Sequence, residues 1–315
     1  MNNQRRDTEK GIFMAVTDDP GLMRLLTKVY EEKGWDFTQY KQASLLRRLR
    51  SRLNKHNLGS FDGYIKVLEA QPQEYNELIN SLTINVTEFF RNPEMFQALD
   101  EVVIPRVIAS KLRHQHKIIK AWSCGCSSGD EPYSLAMIFL EKLGEARDKF
   151  LLAIIGSDID KAALDEARQM LYAKERLNAL DNFLLEKYFT RIEGGKFRLK
   201  SFVSSLARFR HHDIIRDRPF MRCDIILCRN LLIYFNKQLQ EETLLKFYEA
   251  LNPGGFLVLG MVESLVGAAA NAFECVDNRL RIYRKPEDKA LIYDSQKVLS
   301  QEEIDGVVAG MLEKE

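Results

Sequence analysis

From Asp19 to about Leu99 apolar residues return every three or four positions, and no stretch alternates in the two-residue rhythm of a strand. This part of the chain therefore reads as helices. Turn signals at Lys33-Gly34 and Asn57-Leu58-Gly59 divide it. Leu45, Leu46, Leu49 and Leu53 recur at helical spacing, while Lys41, Arg47, Arg48, Arg50, Arg52 and Lys55 supply positive charge with no acid before His56. The pattern predicts a helix with one packing face and a basic remainder. After Asp100 the rhythm changes. Short apolar runs at 118–122, 150–156, 207–211, 223–228 and 256–260 alternate with helical segments, which predicts a largely parallel, doubly wound sheet. Two further runs, 273–276 and 280–283, are joined by a turn at Asp277-Asn278, so the sheet should end in an antiparallel pair. Alternation on either side of Gly194-Gly195 predicts a small β-hairpin insertion at about 188–206. The limits read this way are a helical domain over 1–99, an α/β domain over 100–286, and a polar tail over 287–315 with one short amphipathic segment.

Composition narrows the function. Among 315 residues, 46 Lys and Arg stand against 45 Asp and Glu, a net charge of +1, which argues against a protein that holds nucleic acid by bulk charge. No apolar run approaches the roughly 20 residues of a spanning helix, and MNNQRRDTEK has no apolar signal core behind its charges. A cytoplasmic monomer that is not inserted in a membrane is expected. The five cysteines fit reduced, buried thiols. Cys124-Gly-Cys126 is too closely spaced for a zinc knuckle, so no metal site is expected.

In an open parallel sheet, ligands sit beyond the carboxyl ends of the strands at the switch point. The first strand runs into Ser123-Cys-Gly-Cys-Ser-Ser-Gly-Asp-Glu131-Pro-Tyr-Ser134, a loop of small residues that lets backbone approach a ligand. It is neither G-x-G-x-x-G nor a phosphate loop with its Lys, which excludes nicotinamide dinucleotides and nucleoside triphosphates. The second strand ends at Ser157-Asp158-Ile-Asp160. An acid at that place accepts from ribose hydroxyls, and Asp160 has the alternative of capping the next helix. The fourth strand ends in Cys228-Arg229-Asn230-Leu-Leu-Ile-Tyr234-Phe235, polar residues breaking an apolar run at the strand's end. Ahead of the first strand stands Thr83-Ile-Asn85-Val-Thr87-Glu-Phe89-Phe90-Arg91. Burial explains the two Phe but not the polar residues around them.

Taken together, Arg-Arg-Leu on a basic helix, Thr-x-Asn-x-Thr-x-Phe-Phe-Arg, Gly-Asp-Glu-Pro-Tyr-Ser, Ser-Asp-Ile-Asp and Cys-Arg-Asn-x-x-Ile-Tyr-Phe resemble the bacterial chemotaxis receptor glutamate O-methyltransferases, the CheR family, over about Leu22 to Lys285. The resemblance implies an N-terminal all-helical domain followed by a seven-stranded, Rossmann-like methyltransferase domain. It implies transfer of methyl from S-adenosylmethionine to glutamate side chains of methyl-accepting chemotaxis receptors, with S-adenosylhomocysteine as product and adaptation of the sensory response as purpose. By position, cofactor contacts would fall on Asn85, Thr87, Arg91, Glu131, Asp158, Asp213, Ile214, Arg229 and Asn230. Asp213 stands where relatives commonly carry Asn, and its carboxylate would accept from the adenine amino group. Arg91 and Tyr234 would align substrate carboxylate and cofactor. Arg47, Arg48, Arg50 and Arg52 would seat the acidic helical bundle of the receptor. The hairpin looks shorter than in members that grip a receptor tail, implying tether-independent methylation. Leu299–Val308 resembles the segment of a flagellar switch protein that docks a response regulator, which makes such a regulator a candidate partner. The alternative reading is a catalytically weak cofactor-binding scaffold or adaptor in a chemosensory complex.

Overall fold

The computed structural model describes residues 19–83, 85–113 and 115–287; the tail segment Leu299–Val308 lies outside them. The chain separates into two compact units. One comprises Met1–Ile84 together with Tyr234–Leu239, the other Asn85–Ile233 together with Gln240–Glu315. The boundary thus falls before Asn85 rather than at residue 99. The reason is packing: Phe89, Met95, Phe96 and Leu99 are buried in the same core cluster as Ile119, Tyr133 and Ile225 of the α/β unit.

The helical unit holds α1 (Pro20–Lys33), α2 (Gln42–Lys55), α3 (Phe61–Ala70) and α4 (Glu74–Leu82). Local signals set the ends. The Asp19 carboxylate accepts from Gly21 N–H at 2.8 Å ahead of Pro20, and Gly34, at φ 74°, closes α1 with an N–H donated to Tyr30 O. The buried stripe of α2 is Leu45, Leu46, Arg48, Leu49, Arg52 and Leu53, so two of the four arginines expected on the receptor face point inward. Arg52 is buried and donates to Glu74, to which Tyr64 OH also donates at 2.6 Å. Arg48 donates to Leu82 O and lies 4.6 Å over the Tyr234 ring. The expectation is corrected for this pair: each arginine has its charge inside the unit, and only Arg47 and Arg50 stand exposed. The returning segment is fixed by Lys41 N–H to Tyr234 O at 2.7 Å and Asn236 N–H to Gln39 O at 2.9 Å. Tyr40 and Phe235 pair across an isolated bridge, their rings 5.2 Å apart.

The second unit begins with α5 (Pro93–Ala98), a π-helical turn at Leu99–Val103, and α6 (Ile104–Arg113). Strands β1 (Ile118–Cys124) and β2 (Leu151–Asp158) follow, connected through α7 (Asp130–Leu143), and α8 (Lys161–Gln169) leaves β2. Next come β3 (Leu171–Tyr172), α9 (Asn182–Tyr188), β4 (Phe189–Arg191), β5 (Phe197–Leu199), α10 (Ser201–Ser204) and β6 (Ala207–His211). The sheet is completed by β7 (Cys223–Cys228), α11 (Lys237–Ala250), β8 (Leu251–Leu259), α12 (Ala269–Ala272), β9 (Glu274–Asp277) and β10 (Ile282–Arg284).

The seven-stranded sheet runs β6-β2-β1-β7-β8-β10-β9, parallel from β6 to β8, with β10 antiparallel to both neighbours. The last two strands do pair antiparallel, but β10 inserts between β8 and β9. Every residue of β7 is buried, as suits a strand covered on both faces. The insertion is larger than a hairpin. It is a three-stranded antiparallel sheet β3-β5-β4 that recruits Leu171–Tyr172 from upstream of the hairpin. None of the described helices is long and apolar enough to cross a membrane.

Candidate active site

Register aligns the carboxyl ends of the central strands. Cys124 pairs with Ser157 of β2 on one side and Cys228 of β7 on the other, and Asp158 pairs with His211 of β6. The strand order reverses at β1, so the loops that leave these four strands meet at the switch point. The loop after β1 folds down onto β2. Gly125 and Cys126 both donate backbone N–H to Ser157 O, at 2.8 and 3.0 Å, and Ser127 donates its N–H to Asp158 Oδ2 at 2.8 Å. The turn needs left-handed backbone at Gly125, Ser127 and Gly129. At Gly129 (φ 86°) a Cβ would lie 2.8 Å from Ala167 Cβ and 2.9 Å from the Phe209 ring, so close packing also demands glycine.

Asp158 is buried, and each carboxylate oxygen accepts one backbone N–H, Oδ1 from Asp160 and Oδ2 from Ser127. Burial pushes its carboxyl up to about 6, against the pull of those N–H groups. Asp160 takes the capping role: it accepts from Ala162 and Ala163 N–H at the start of α8 and receives Asn85 Nδ2 at 2.6 Å. On the β6 side, His212 donates its backbone N–H to Asp158 O at 3.0 Å. Its ring packs against Trp122 and Phe220. Asp213 and Ile214 follow, both buried. The Asp213 carboxylate accepts Ile215 N–H at 2.9 Å, and burial raises its pKa.

The strap Asn85–Asn92 crosses the same edge. Phe89 is buried against Tyr172 and Phe189, with ring centroids 4.7 and 5.3 Å away, both edge-on. Phe90 and Asn92 adopt left-handed backbone (φ 53° and 62°), uncommon for a bulky residue such as Phe90. Hydrogen bonds hold the strap there. Phe90 N–H donates to Ser134 Oγ at 2.9 Å, Phe89 N–H donates to Arg176 O at 3.1 Å, and Arg91 Nη1 donates to Val86 O at 2.9 Å. From β7, Arg229 donates to Glu131 Oε2 at 2.9 Å, Arg91 O at 2.8 Å and Asn92 Oδ1 at 2.6 Å. Glu131 Oε1 accepts from Ser123 Oγ at 2.7 Å. Arg229 and Glu131 thus spend most of their hydrogen-bonding capacity on one another and on the strap. Asn230 (φ 61°) is shaped by Glu263, a buried acid that accepts from Asn230, Gly260 and Ile233 N–H.

The matching family models are the all-alpha domain of the CheR methyltransferases over residues 20–83 and their S-adenosylmethionine-binding domain over residues 85–282. The chain belongs to the CheR methyltransferase family. It is 34% identical over 256 residues to chemotaxis protein methyltransferase 2 of Vibrio cholerae, covering 79% of this chain and 87% of that one. It is 31% identical over 250 residues to the chemotaxis protein methyltransferase of Borreliella burgdorferi, covering 78% and 88%. A third relative, from Salmonella typhimurium, is 31% identical over 256 residues, covering 78% and 84%.

The site of this CheR methyltransferase suits S-adenosylmethionine. Asp158 keeps lone pairs beyond its two backbone bonds, as a ribose diol requires, and beside it the buried Ser127 Oγ has no partner among the described residues. The α/β unit brings together Asn85, Arg91, Glu131, Asp158, Asp213, Arg229 and Asn230 at one sheet edge. Tyr234 belongs to the helical unit, under Arg48. Three contributors were not foreseen. Ser134, Arg176 and Glu263 hold the strap and the β7 exit; the sequence marks Ser134 as the end of the Gly-Asp-Glu-Pro-Tyr-Ser run and Glu263 as a lone acid just past a strand, and gives no sign of Arg176. Among the described residues no cluster of His, Cys, Asp or Glu is arranged to hold a metal.

Proposed function

We propose that this methyltransferase esterifies glutamate side chains of methyl-accepting chemotaxis receptors. The observation that carries the reading is the cluster of the acceptors Asp158 and Asp213 at the sheet edge crossed by the strap that bears Arg91, in a chain of the CheR family whose relatives are chemotaxis protein methyltransferases. The bound cofactor supplies an electrophilic methyl on a sulfonium. A glutamate with pKa about 4.3 is already ionised at neutral pH, so no general base is needed. The chain's work is alignment: holding nucleophile and methyl about 3–3.5 Å apart gives most of the acceleration. Asp158 holds the ribose, Asp213 accepts from the adenine amino group, and Asn85, Thr87, Glu131, Ile214, Arg229 and Asn230 form the remaining cofactor wall. Arg91, one N–H already committed to Val86 O, offers the rest of its fork to a carboxylate. Arg47 and Arg50 give the helical unit an exposed basic face for the acidic receptor bundle.

The test is incubation with methyl-labelled S-adenosylmethionine and membranes carrying candidate receptors, followed by mild base. Label on a receptor band released as methanol is the expected result. Cofactor binding without transfer to any receptor would leave the cofactor reading standing and remove the glutamyl one.

A further inference from the structure

Arg176 lies in the short 3-10 turn Lys174–Leu177 that follows β3, in the insertion rather than in any motif of the cofactor site. Its guanidinium reaches back across the unit to the loop after β1. Nε donates to Asp130 Oδ1 at 2.9 Å, Nη2 donates to Asp130 Oδ2 and to Ser128 Oγ, and Nη1 donates to Glu166 of α8. The same guanidinium lies 5.0 Å over the Tyr172 ring, whose hydroxyl donates to Ser128 O at 3.2 Å. Its backbone carbonyl accepts Phe89 N–H at 3.1 Å. One residue therefore touches the β1 loop, α8, β3 and the strap, and these contacts are all to other parts of the protein's own framework.

Asp130 is completely buried, so a carboxylate there requires a partner. Burial drives its carboxyl up to about 6, and Arg176 is the main group opposing that rise. Two residues just ahead of it, beyond Gly129, bear on the cofactor site: Ser128 is held by Arg176 through its hydroxyl, and Ser127 N–H aims at Asp158.

We propose that Arg176 is a positioning residue for S-adenosylmethionine, setting the Ser127–Asp130 turn against Asp158 and, through its carbonyl, fixing the strap beside it. Without the guanidinium, Asp130 turns out of the core or draws in water, the turn loses its left-handed path, and Asp158 loses the N–H that orients Oδ2. The consequence is weaker cofactor binding at a distance from the cofactor. The inference rests on reading the β1 loop as the cofactor's loop, and it is independent of which acceptor is methylated.

The full chain is titrated with S-adenosylmethionine as wild type, Arg176→Gln and Arg176→Lys. Glu141→Gln, which breaks contacts to Lys187 and Tyr188 in the same unit, serves as a control for stability alone. Arg176→Gln should raise Kd about tenfold or more, equal to about 1.4 kcal/mol, and raise the KM for cofactor with kcat at saturating cofactor changed by less than about threefold. Arg176→Lys should recover part of the loss, because one charged donor still reaches Asp130. Glu141→Gln should lower Tm and leave Kd unchanged. Arg176→Gln binding within about twofold of wild type would overturn the proposal. If that variant does not fold, the Arg176→Gln/Asp130→Asn pair removes the stranded charge, and wild-type affinity in the pair would overturn it equally. Because binding needs no acceptor, failure of receptor methylation would leave this measurement intact.

Discussion

Replacing Arg229 with Gln isolates the ion pair that joins β7 to the β1 loop. The side chains of Arg229 and Glu131 are 2% and 13% exposed, so water screens them little and both were desolvated on folding. Arg229→Gln strands the Glu131 carboxylate with Ser123 as its one remaining partner, and it also frees Arg91 O and Asn92. Breaking a buried pair from one side costs about 3–5 kcal/mol, a large share of the 5–15 kcal/mol that typically separates folded from unfolded. Urea unfolding followed by circular dichroism should therefore show a midpoint shift at unchanged slope. The double variant Arg229→Gln/Glu131→Gln should regain about 1–3 kcal/mol relative to the single one, since it removes the unpaired charge. A single-variant loss below about 1 kcal/mol, or a double variant no more stable than the single, would refute the argument that the pair is a desolvated brace.

Three further outcomes follow from the geometry. With the Asp158 carboxyl pushed up to about 6, lowering the pH through that value protonates the carboxylate proposed to hold the ribose, so cofactor affinity should fall toward acid and level off above about pH 7, and Asp158→Asn should flatten that profile in calorimetric titrations. Gly129→Ala forces a Cβ against Ala167 and Phe209 at positive φ; a loss of about 1–3 kcal/mol should be accompanied by loss of cofactor binding. Arg52→Ala should destabilise the protein by about 3 kcal/mol through the stranded Glu74, whereas Arg47→Glu/Arg50→Glu should leave Tm within about 2 °C and reduce receptor association in a salt-dependent pull-down.

Much of this was readable from pattern. The strands of the large sheet fall within a few residues of their apolar runs, except that β8 begins earlier, at Leu251. The place of Asp158 at the carboxyl end of β2 was legible because the apolar run before it stops there. The inward turn of Arg48 and Arg52 was also legible in principle, since positions 45, 48, 49, 52 and 53 form one helical stripe. Counting charge along the helix obscured it, because the acid that balances Arg52 lies 22 residues away. Two features left no usable signal. Strand β3 is two residues long, too short to show a period, and the insertion of β10 between β8 and β9 is a choice of sheet order that a hairpin turn does not specify. Arg176 was invisible because its partner Asp130 is 46 positions distant and only the fold brings them together.

The return of Tyr234–Leu239 to the helical unit has a consequence for how the molecule is made. Although α1 to α4 are synthesised first, that unit lacks the strand bridge at Tyr40 and the ring beneath Arg48 until residue 239 has been translated. At about 5–20 residues per second, the amino-terminal helices wait roughly 8–30 s on the ribosome for their last piece. A cut at the Ile84–Asn85 border would give a fragment missing part of its own interior, so helical-unit fragments intended for biophysics should carry the 234–239 peptide through a designed linker.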